Sequence, residues 1–195
     1  KVDLQERPSG DVVRGVEEGA AEIGICSGEA EARNLETFHY RYDDLVVVVR
    51  PDHPLAARDQ VQFADTLDFD HVGLHAASSI YLRTQYAAAQ AGKSLRLRIH
   101  VPGFDAVCRM VQANMGIGLI PDRAFSVIGG GMGLRSIQLR DSWARRELKI
   151  VVREVDGLSQ IGRLVLDHLR AAEQSRGEPV RQIAQPDVLR RRTPD

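Results

Sequence analysis

The sequence is poor in cysteine, with only Cys26 and Cys108 among its 195 residues. Two cysteines cannot form the disulfide framework of a small secreted domain, so that class of protein is excluded. A single disulfide between the two residues remains open, but two reduced thiols in a cytoplasmic protein are the simpler interpretation.

An excess of one charge and long hydrophobic runs are also missing. The 26 basic and 27 acidic residues nearly cancel, so we expect no positive surface by which this chain alone would bind DNA. The longest apolar run, Leu45–Val49, is far shorter than the roughly 20 residues that span a bilayer. Its length is that of a buried strand, and we expect no membrane contact.

The two ends of the sequence differ from the rest. The chain begins with Lys1 rather than Met and shows no signal peptide. Val2 and Leu4 alternate with polar residues, which predicts a half-buried strand and a chain that begins inside a longer protein. Residues 176–195 contain three prolines and an arginine triplet at 190–192, which predicts a polar C-terminal tail.

Strand and helix patterns alternate between these ends, which predicts an α/β protein. Ser9 is a candidate N-cap for a helix that ends near Gly19, and with the first strand and a strand at 22–25 it predicts a parallel strand–helix–strand unit. Further strands are predicted at 38–41, 44–50, 70–74, 94–100, 134–139 and 147–153. Further helices are predicted at 62–69, 79–91, 104–114 and 158–171, the last with Leu158, Ile161, Val165 and Leu169 as its buried stripe.

The stretch CRMVQANMGIGLIP, residues 108–121, contains a Gly-x-Gly pattern. A dinucleotide fingerprint needs a strand, then glycines, then a helix whose N-terminus points at the phosphate. Here the helix comes first and the strand last, which disfavours a phosphate site. Gly116 instead suits a left-handed helix exit, and Gly118 a position where a backbone passes closely.

The same region, from Phe104 to Pro121, resembles the effector-binding domain of LysR-type transcriptional regulators. Three other stretches agree with the family's pattern: SGDVVRGVEEGAAEIGI at 9–25, DLVVVVRPDHPL at 44–55, and the polar loop at 76–81 that opens a long helix. The four stretches occur in the family's order over residues 1–172.

The resemblance implies an α/β fold like that of type 2 periplasmic binding proteins, with two Rossmann-like subdomains joined by two crossing strands. Subdomain I would comprise residues 1–47 and 152–175, without the family's first strand and helix, and subdomain II residues 48–151. DNA would be bound only through a winged helix-turn-helix that is absent from this sequence. The resemblance also implies a homo-oligomer, a dimer or a tetramer, in the cytoplasm.

Candidate ligand-binding residues stand where helices begin after strands. In open α/β sheets, ligands bind at the carboxyl ends of strands, where helix N-termini offer free N–H groups. Hydroxyls and amides at such ends suit a small carboxylate or another oxyanion. The alternative is that the serines are only helix caps, although the resemblance implies effector contact at Ser9 and Phe104. The candidates are Ser9, Gly10, Cys26, Ser27, Ser78, Ser79, Pro102, Gly103 and Phe104.

Patterns for catalysis and metal binding are weak. There is no G-x-S-x-G motif, and the glycine run at 129–133 lacks the Lys-Ser/Thr of a P-loop. His71 and His75 would share one face of a regular strand, so a metal site there is a minor alternative. Cys26 is either a ligand-facing thiol or, by preference, a buried structural one. We expect no catalytic residue, metal or cofactor.

Two functional hypotheses follow. The first is the effector-sensing and oligomerisation domain of a LysR-type regulator, and the second is an exported solute-binding protein of the same fold that serves a transporter. An upstream winged helix-turn-helix would decide for the first, and a signal peptide for the second. An enzyme on this fold would need a cluster of acid, base and nucleophile that the sequence lacks.

Overall fold

The computed structural model describes residues 2–174, so the predicted tail at 176–195 lies outside the described residues. The α-helices are α1 (Ser9–Glu17), α2 (Ser79–Gln90), α3 (Phe104–Gln112), α4 (Asp122–Ile128) and α5 (Gln160–Gln174). The strands are β1 (Ile23–Ser27), β2 (Glu36–Val49), β3 (Gln60–Val61), β4 (His71–Leu74), β5 (Leu97–Val101), β6 (Ile117–Pro121), β7 (Arg135–Leu139) and β8 (Arg145–Val152). In this described part, no helix combines the length and hydropathy that a bilayer span requires.

The long strand β2 joins the two halves of the sheet. Its residues 36–44 pair antiparallel with β8, whereas residues 45–49 pair with β6 and β7. The full order is β1-β8-β2-β6-β4-β5, with β7 beside β2 and β3 beside β7. The chain returns to the first half at β8, whose first residue, Arg145, pairs with Asp44. This is the predicted α/β architecture with two crossing segments; the subdomain boundaries at 47/48 and 151/152 stay predictions.

Helices cover both faces of the first half of the sheet. Alternation along β8 sends Val151 toward α1, where it packs with Val13, Val16 and Cys26. Ile150 and Val152 point the other way, toward α5, and pack with Tyr40, Leu158 and Leu166. The first half is therefore a three-layer unit whose α1 begins at one end of the sheet.

The second half of the sheet holds the larger core. The four valines at 46–49 are fully buried, as their unbroken apolar run predicts for a strand covered on both faces. Helix α3 packs Val107, Cys108 and Val111 into this core. The loops before β4 add Phe63 and Leu67 to the same core.

The Gly-x-Gly stretch is a packing feature. A Cβ on Gly118 would lie 2.4 Å from a methyl carbon of Val107 in α3, and one on Gly116 would lie 2.4 Å from the carbonyl oxygen of Asp70. The left-handed residue that ends α3 is Asn114, with φ 61°, and not Gly116, although Gly116 also has a positive φ, of 143°. The sequence predicted a closely passing backbone at Gly118. The close backbone is instead that of Asp70 at Gly116, whereas Gly118 lies against the side chain of Val107 in α3.

The predicted first strand is wrong. Residues 2–8 form no strand, and the side chain of Leu4 is 93% exposed. Alternation over so few residues describes a strand only if a neighbouring strand pairs with it, and the described residues supply none. Strand β1 pairs antiparallel with β8, so the predicted parallel strand–helix–strand unit at the N-terminus is also wrong.

Several other predicted elements are displaced. The strands expected at 38–41 and 44–50 are one strand, β2, with an irregularity between His39 and Arg41. The helix expected at 62–69 is a 3₁₀ turn, Phe63–Thr66. In α5, Ile161 is half exposed whereas Gly162 and Leu166 are buried, so the buried stripe is shifted by one residue from the predicted one.

Candidate functional site

Two adjacent cavities lie between the halves of the molecule. The larger one, of about 990 Å³, separates α1 from α2. The smaller one, of about 160 Å³, lies at the N-termini of α1, α2 and α3. Ser9 and Ser79 line both cavities, and we call the two together the cleft.

The smaller cavity brings three helix N-termini together. Its walls include Ser9 from α1, Ser78 and Ser79 from α2, and Phe104 from α3. Among residues 2–174, no side chain makes a capping hydrogen bond to any of these three helices. Their first N–H groups and the positive ends of their dipoles therefore face a common space, an arrangement that stabilises an anion.

The two serines predicted as caps do not act as caps. Pro8 occupies the N-cap position of α1, and the hydroxyl oxygen of Ser9 accepts a hydrogen bond from the backbone N–H of Ser27 at 3.1 Å. Ser78 occupies the N-cap position of α2 without a side-chain bond. Ser9 is therefore not the N-cap that the sequence predicted, whereas Ser78 stands at the N-cap position without a side-chain cap bond, and the choice between cap and ligand contact at Ser78 stays a prediction.

Arg146 is the charged residue that the sequence did not single out. Its side chain is 6% exposed and pairs with the carboxylate of Asp43 at 2.5 Å. A second guanidinium nitrogen lies 3.4 Å from the hydroxyl of Ser79, and Nε has no hydrogen-bond partner in the part of the chain that the structure describes. The sequence does contain a signal for Arg146, because two acidic residues at 43–44 match two basic residues at 145–146. Recognising that they pair requires the register of β2 and β8.

The larger cavity is mainly apolar. Val13 of α1 faces Leu82 and Tyr86 of α2 across it, and the ring of Trp143 closes one end against Phe63 at 5.1 Å between centroids. The ring contact with Phe63 makes Trp143 part of the cavity wall.

Arg83, whose side chain is 15% exposed, is a second arginine of the cleft that the sequence did not single out. One guanidinium nitrogen contacts the Glu29 carboxylate at 2.7 Å, and another donates to the carbonyl oxygen of Trp143 at 2.7 Å. Within the described residues, neither the Nε of Arg83 nor the hydroxyl of Ser27 has a hydrogen-bond partner, although both atoms are buried.

Charge divides the cleft into two parts. The smaller cavity is lined by Arg146, Arg7 and His75, with Glu6 as its acidic residue. The larger cavity has the acidic side chains of Glu17, Glu29, Glu31 and Asp141 beside Arg14 and Arg83. An anionic group is therefore better placed in the smaller cavity, where the helix dipoles add to the charge of Arg146.

Eight of the nine candidate residues line the cleft. Ser9, Gly10, Ser27 and Ser79 line the larger cavity, and Ser9, Ser78, Ser79, Pro102, Gly103 and Phe104 line the smaller one. Cys26 lines neither cavity; it is buried beside Val13, and this burial raises the pKa of its thiol. The preferred interpretation of Cys26 as a structural thiol agrees with this position, and the ligand roles of the other eight stay predictions.

His71 is a core residue. It is 2% exposed, and burial lowers the pKa of its imidazole to about 4. Its Nδ1 lies 3.0 Å from the carbonyl oxygen of Phe69, and since a carbonyl can only accept, Nδ1 carries the hydrogen. Across residues 2–174, no group of three or more metal-binding side chains comes together.

A two-lobed α/β fold with a cleft at converging helix N-termini defines the periplasmic-binding-protein-like class of ligand-binding domains. The family model of the LysR substrate binding domain matches residues 1–174, and the chain belongs to this family. Its relatives include an uncharacterised HTH-type transcriptional regulator, YwbI of Bacillus subtilis, 27% identical over 86% of this chain and 56% of the relative. Another is a probable RuBisCO transcriptional regulator of Synechocystis, 23% identical over 77% of this chain and 46% of the relative. The chain thus spans about half the length of these relatives.

Solved structures of regulatory domains share the fold. The CcmR regulatory domain of Synechocystis in complex with 2-PG has a TM-score of 0.78 at 20% identity, over 88% of this chain and 83% of that one. The effector-binding domain of QuiR in complex with shikimate has a TM-score of 0.72 at 17% identity, over 87% and 80%. The BenM effector-binding domain with its effector benzoate has a TM-score of 0.71 at 20% identity, over 91% and 82%.

Proposed function

We propose that this chain is the effector-sensing domain of a DNA-binding transcriptional regulator, and that a small anionic metabolite binds in the smaller cavity. The observation that carries the proposal is the convergence of three uncapped helix N-termini with the buried side chain of Arg146. N–H groups, hydroxyls and a guanidinium are the donors that a carboxylate accepts from.

The chemistry of the neighbours' ligands supports a carboxylate. Shikimate and benzoate, which occupy two of the similar domains, are both carboxylates. Cytoplasmic metabolites of this size commonly carry one such group, and the smaller cavity has room for a head group rather than a whole large molecule. We therefore propose that the carboxylate of the effector lies between Ser9, Ser79 and Phe104.

A ligand in this position would connect the two halves of the molecule. Ser9 belongs to α1, which packs on the first half of the sheet, whereas Ser79 and Phe104 begin helices of the second half. Contacts to both sides favour one angle between the halves over others. In the complete regulator that change would reposition the DNA-binding modules.

The rest of the functional proposal follows from the family. We propose a cytoplasmic homo-oligomer, a dimer or a tetramer, that binds DNA through a winged helix-turn-helix outside this chain and has no catalytic activity. The alternative of an exported solute-binding protein is less favoured, because the curated relatives are named as transcriptional regulators.

A thermal-shift titration with benzoate and shikimate tests the proposal. At a ligand concentration of about 100 Kd, binding stabilises a folded protein by about 2.7 kcal/mol, which raises Tm by roughly 5–10 °C for a domain of this size. We expect at least one of the two carboxylates to stabilise the wild type and to lose most of that effect in Ser79→Ala and Phe104→Ala.

The matched control is Ser126→Ala. The hydroxyl of Ser126 bonds within α4 and is outside both cavities, so this variant should keep the full ligand effect. Equal stabilisation of all four proteins would show that the carboxylate binds elsewhere. The absence of any shift with either carboxylate, up to concentrations at which millimolar binding is detectable, would remove the support for a carboxylate effector.

A further inference from the structure

The larger cavity exceeds what a small carboxylate needs. Its volume of about 990 Å³ compares with about 160 Å³ for the cavity that holds the three helix N-termini. Ser9 and Ser79 line both, so the two spaces adjoin at these residues. We propose that the effector carries an apolar body that fills the larger cavity, and that Arg83 selects a hydrogen-bond acceptor at the far end of that body. This inference rests on the proposed function, which places the carboxylate in the smaller cavity.

The walls of the larger cavity favour an apolar body. Leu82 and Tyr86 on α2 are 56% and 69% exposed, and both face the cavity opposite Val13. Trp143 and Phe63 add an aromatic end wall. Apolar side chains left open to water on two facing helices gain free energy when an apolar ligand covers them, in proportion to the area removed from water.

Arg83 is the hydrogen-bond donor among these apolar walls that we propose selects an acceptor on the ligand. Its side chain is only 15% exposed, yet its partner Glu29 is 63% exposed. An ion pair with one well-solvated partner is weak and is readily exchanged for another acceptor. The guanidinium nitrogen that contacts Glu29 at 2.7 Å is therefore the donor that an acceptor on the ligand would take over.

The acidic side chains of the larger cavity support a competing possibility, in which the far end of the ligand is a cation. Glu17, Glu29 and Glu31 line the same cavity, and a cationic ligand end would bind to them rather than to Arg83. The two cases differ in the role of Glu29. If the ligand end is an acceptor, Glu29 competes with it for the guanidinium; if the ligand end is a cation, Glu29 is its partner.

The test uses three carboxylates of graded structure and isothermal titration calorimetry. Benzoate is the short probe, 4-phenylbutyrate adds length without a second polar group, and 4-(4-carboxyphenyl)butyrate adds an acceptor at the far end. We expect 4-phenylbutyrate to bind the wild type about ten-fold more tightly than benzoate, because its extra methylene groups are buried. The second carboxylate should add about another ten-fold, the size of effect typical of a charge-assisted hydrogen bond.

Substitutions of the two partners in the Arg83–Glu29 ion pair should change the advantage of the second carboxylate in opposite directions. Arg83→Met should abolish the advantage of 4-(4-carboxyphenyl)butyrate over 4-phenylbutyrate and leave benzoate binding unchanged. Glu29→Gln should increase that advantage, because it removes the competitor for the guanidinium. Arg135→Met, a matched exposed arginine on β7 outside both cavities, should change none of the three affinities.

Each other outcome overturns a defined part of the proposal. Equal affinity of the wild type for benzoate and 4-phenylbutyrate would mean that the larger cavity does not bind an apolar body. An advantage of the second carboxylate that survives Arg83→Met would remove the role of Arg83, and an advantage that does not increase in Glu29→Gln would contradict the competition of Glu29 for the guanidinium. If benzoate binding itself does not depend on Ser79, the proposed function fails, and this inference fails with it.

Discussion

Variants of the buried ion pair between Arg146 and Asp43 separate the effect of Arg146 on stability from its effect on ligand binding. The two side chains are 6% and 8% exposed and lie opposite each other in the β2–β8 register. Arg146→Met leaves the carboxylate of Asp43 buried without its cation, and we expect a loss of about 3–5 kcal/mol in the free energy of unfolding. Asp43→Leu combined with Arg146→Met removes both charges and should return to within about 1–2 kcal/mol of wild type.

Urea denaturation monitored by the fluorescence of Trp143, the single tryptophan, measures these free energies. Trp143 lies in the turn directly before β8, so its emission reports on the same part of the molecule. The control is Arg145→Met at the neighbouring position. The exposed Arg145 stacks on the ring of Tyr42 at 4.4 Å, a contact worth about 0.5–1 kcal/mol at an exposed site.

The double variant then decides what Arg146 contributes to the site. We expect it to be folded and yet to bind benzoate at least about ten-fold more weakly than wild type, because a charge-assisted donor is missing. If the folded double variant binds benzoate like the wild type, Arg146 is only structural. If Arg146→Met alone costs less than about 1 kcal/mol, the pair is not buried as described.

Two further predictions concern the core. Gly118→Ala would bring a Cβ to 2.4 Å from Val107 and should cost about 1–3 kcal/mol in urea denaturation, with part of the loss restored when Val107→Ala is added; a neutral Gly118→Ala would contradict the packing role. Burial lowers the pKa of His71 from 6.5 to about 4, so the stability from its neutral form is complete above pH 6.5 and falls as the pH drops toward 4. At pH 5 the loss should be about 2 kcal/mol relative to neutral pH. His71→Gln should lack this component of the pH dependence, and an identical pH profile in both proteins would refute it.

Local patterns predicted the parts of the fold that local forces determine. The four buried valines of β2, the glycine that ends α1 and the helix that begins after Gly103 all follow from periodicity and capping within a few residues. The strand expected at Val2–Leu4 failed because a strand also needs a partner, which no short pattern reveals.

The difference between local patterns and long-range pairing also explains which residues of the candidate site could be predicted. Helix starts can be found in the sequence, and α/β topology places them at one edge of the sheet, so eight predicted residues line the cleft. Arg83 and Arg146 were missed because their positions depend on contacts with Glu29 and Asp43, which are 54 and 103 residues distant in sequence. Such pairings become visible only once the strand register is known.

Backbone amide shifts in a ¹H–¹⁵N NMR titration with benzoate test the anion site most directly. The account predicts that the amides of Ser9, Ser79 and Phe104 move together and saturate with one affinity, while that of the exposed Val127 on α4 stays unchanged. Saturable binding of benzoate with those three amides unmoved would contradict it.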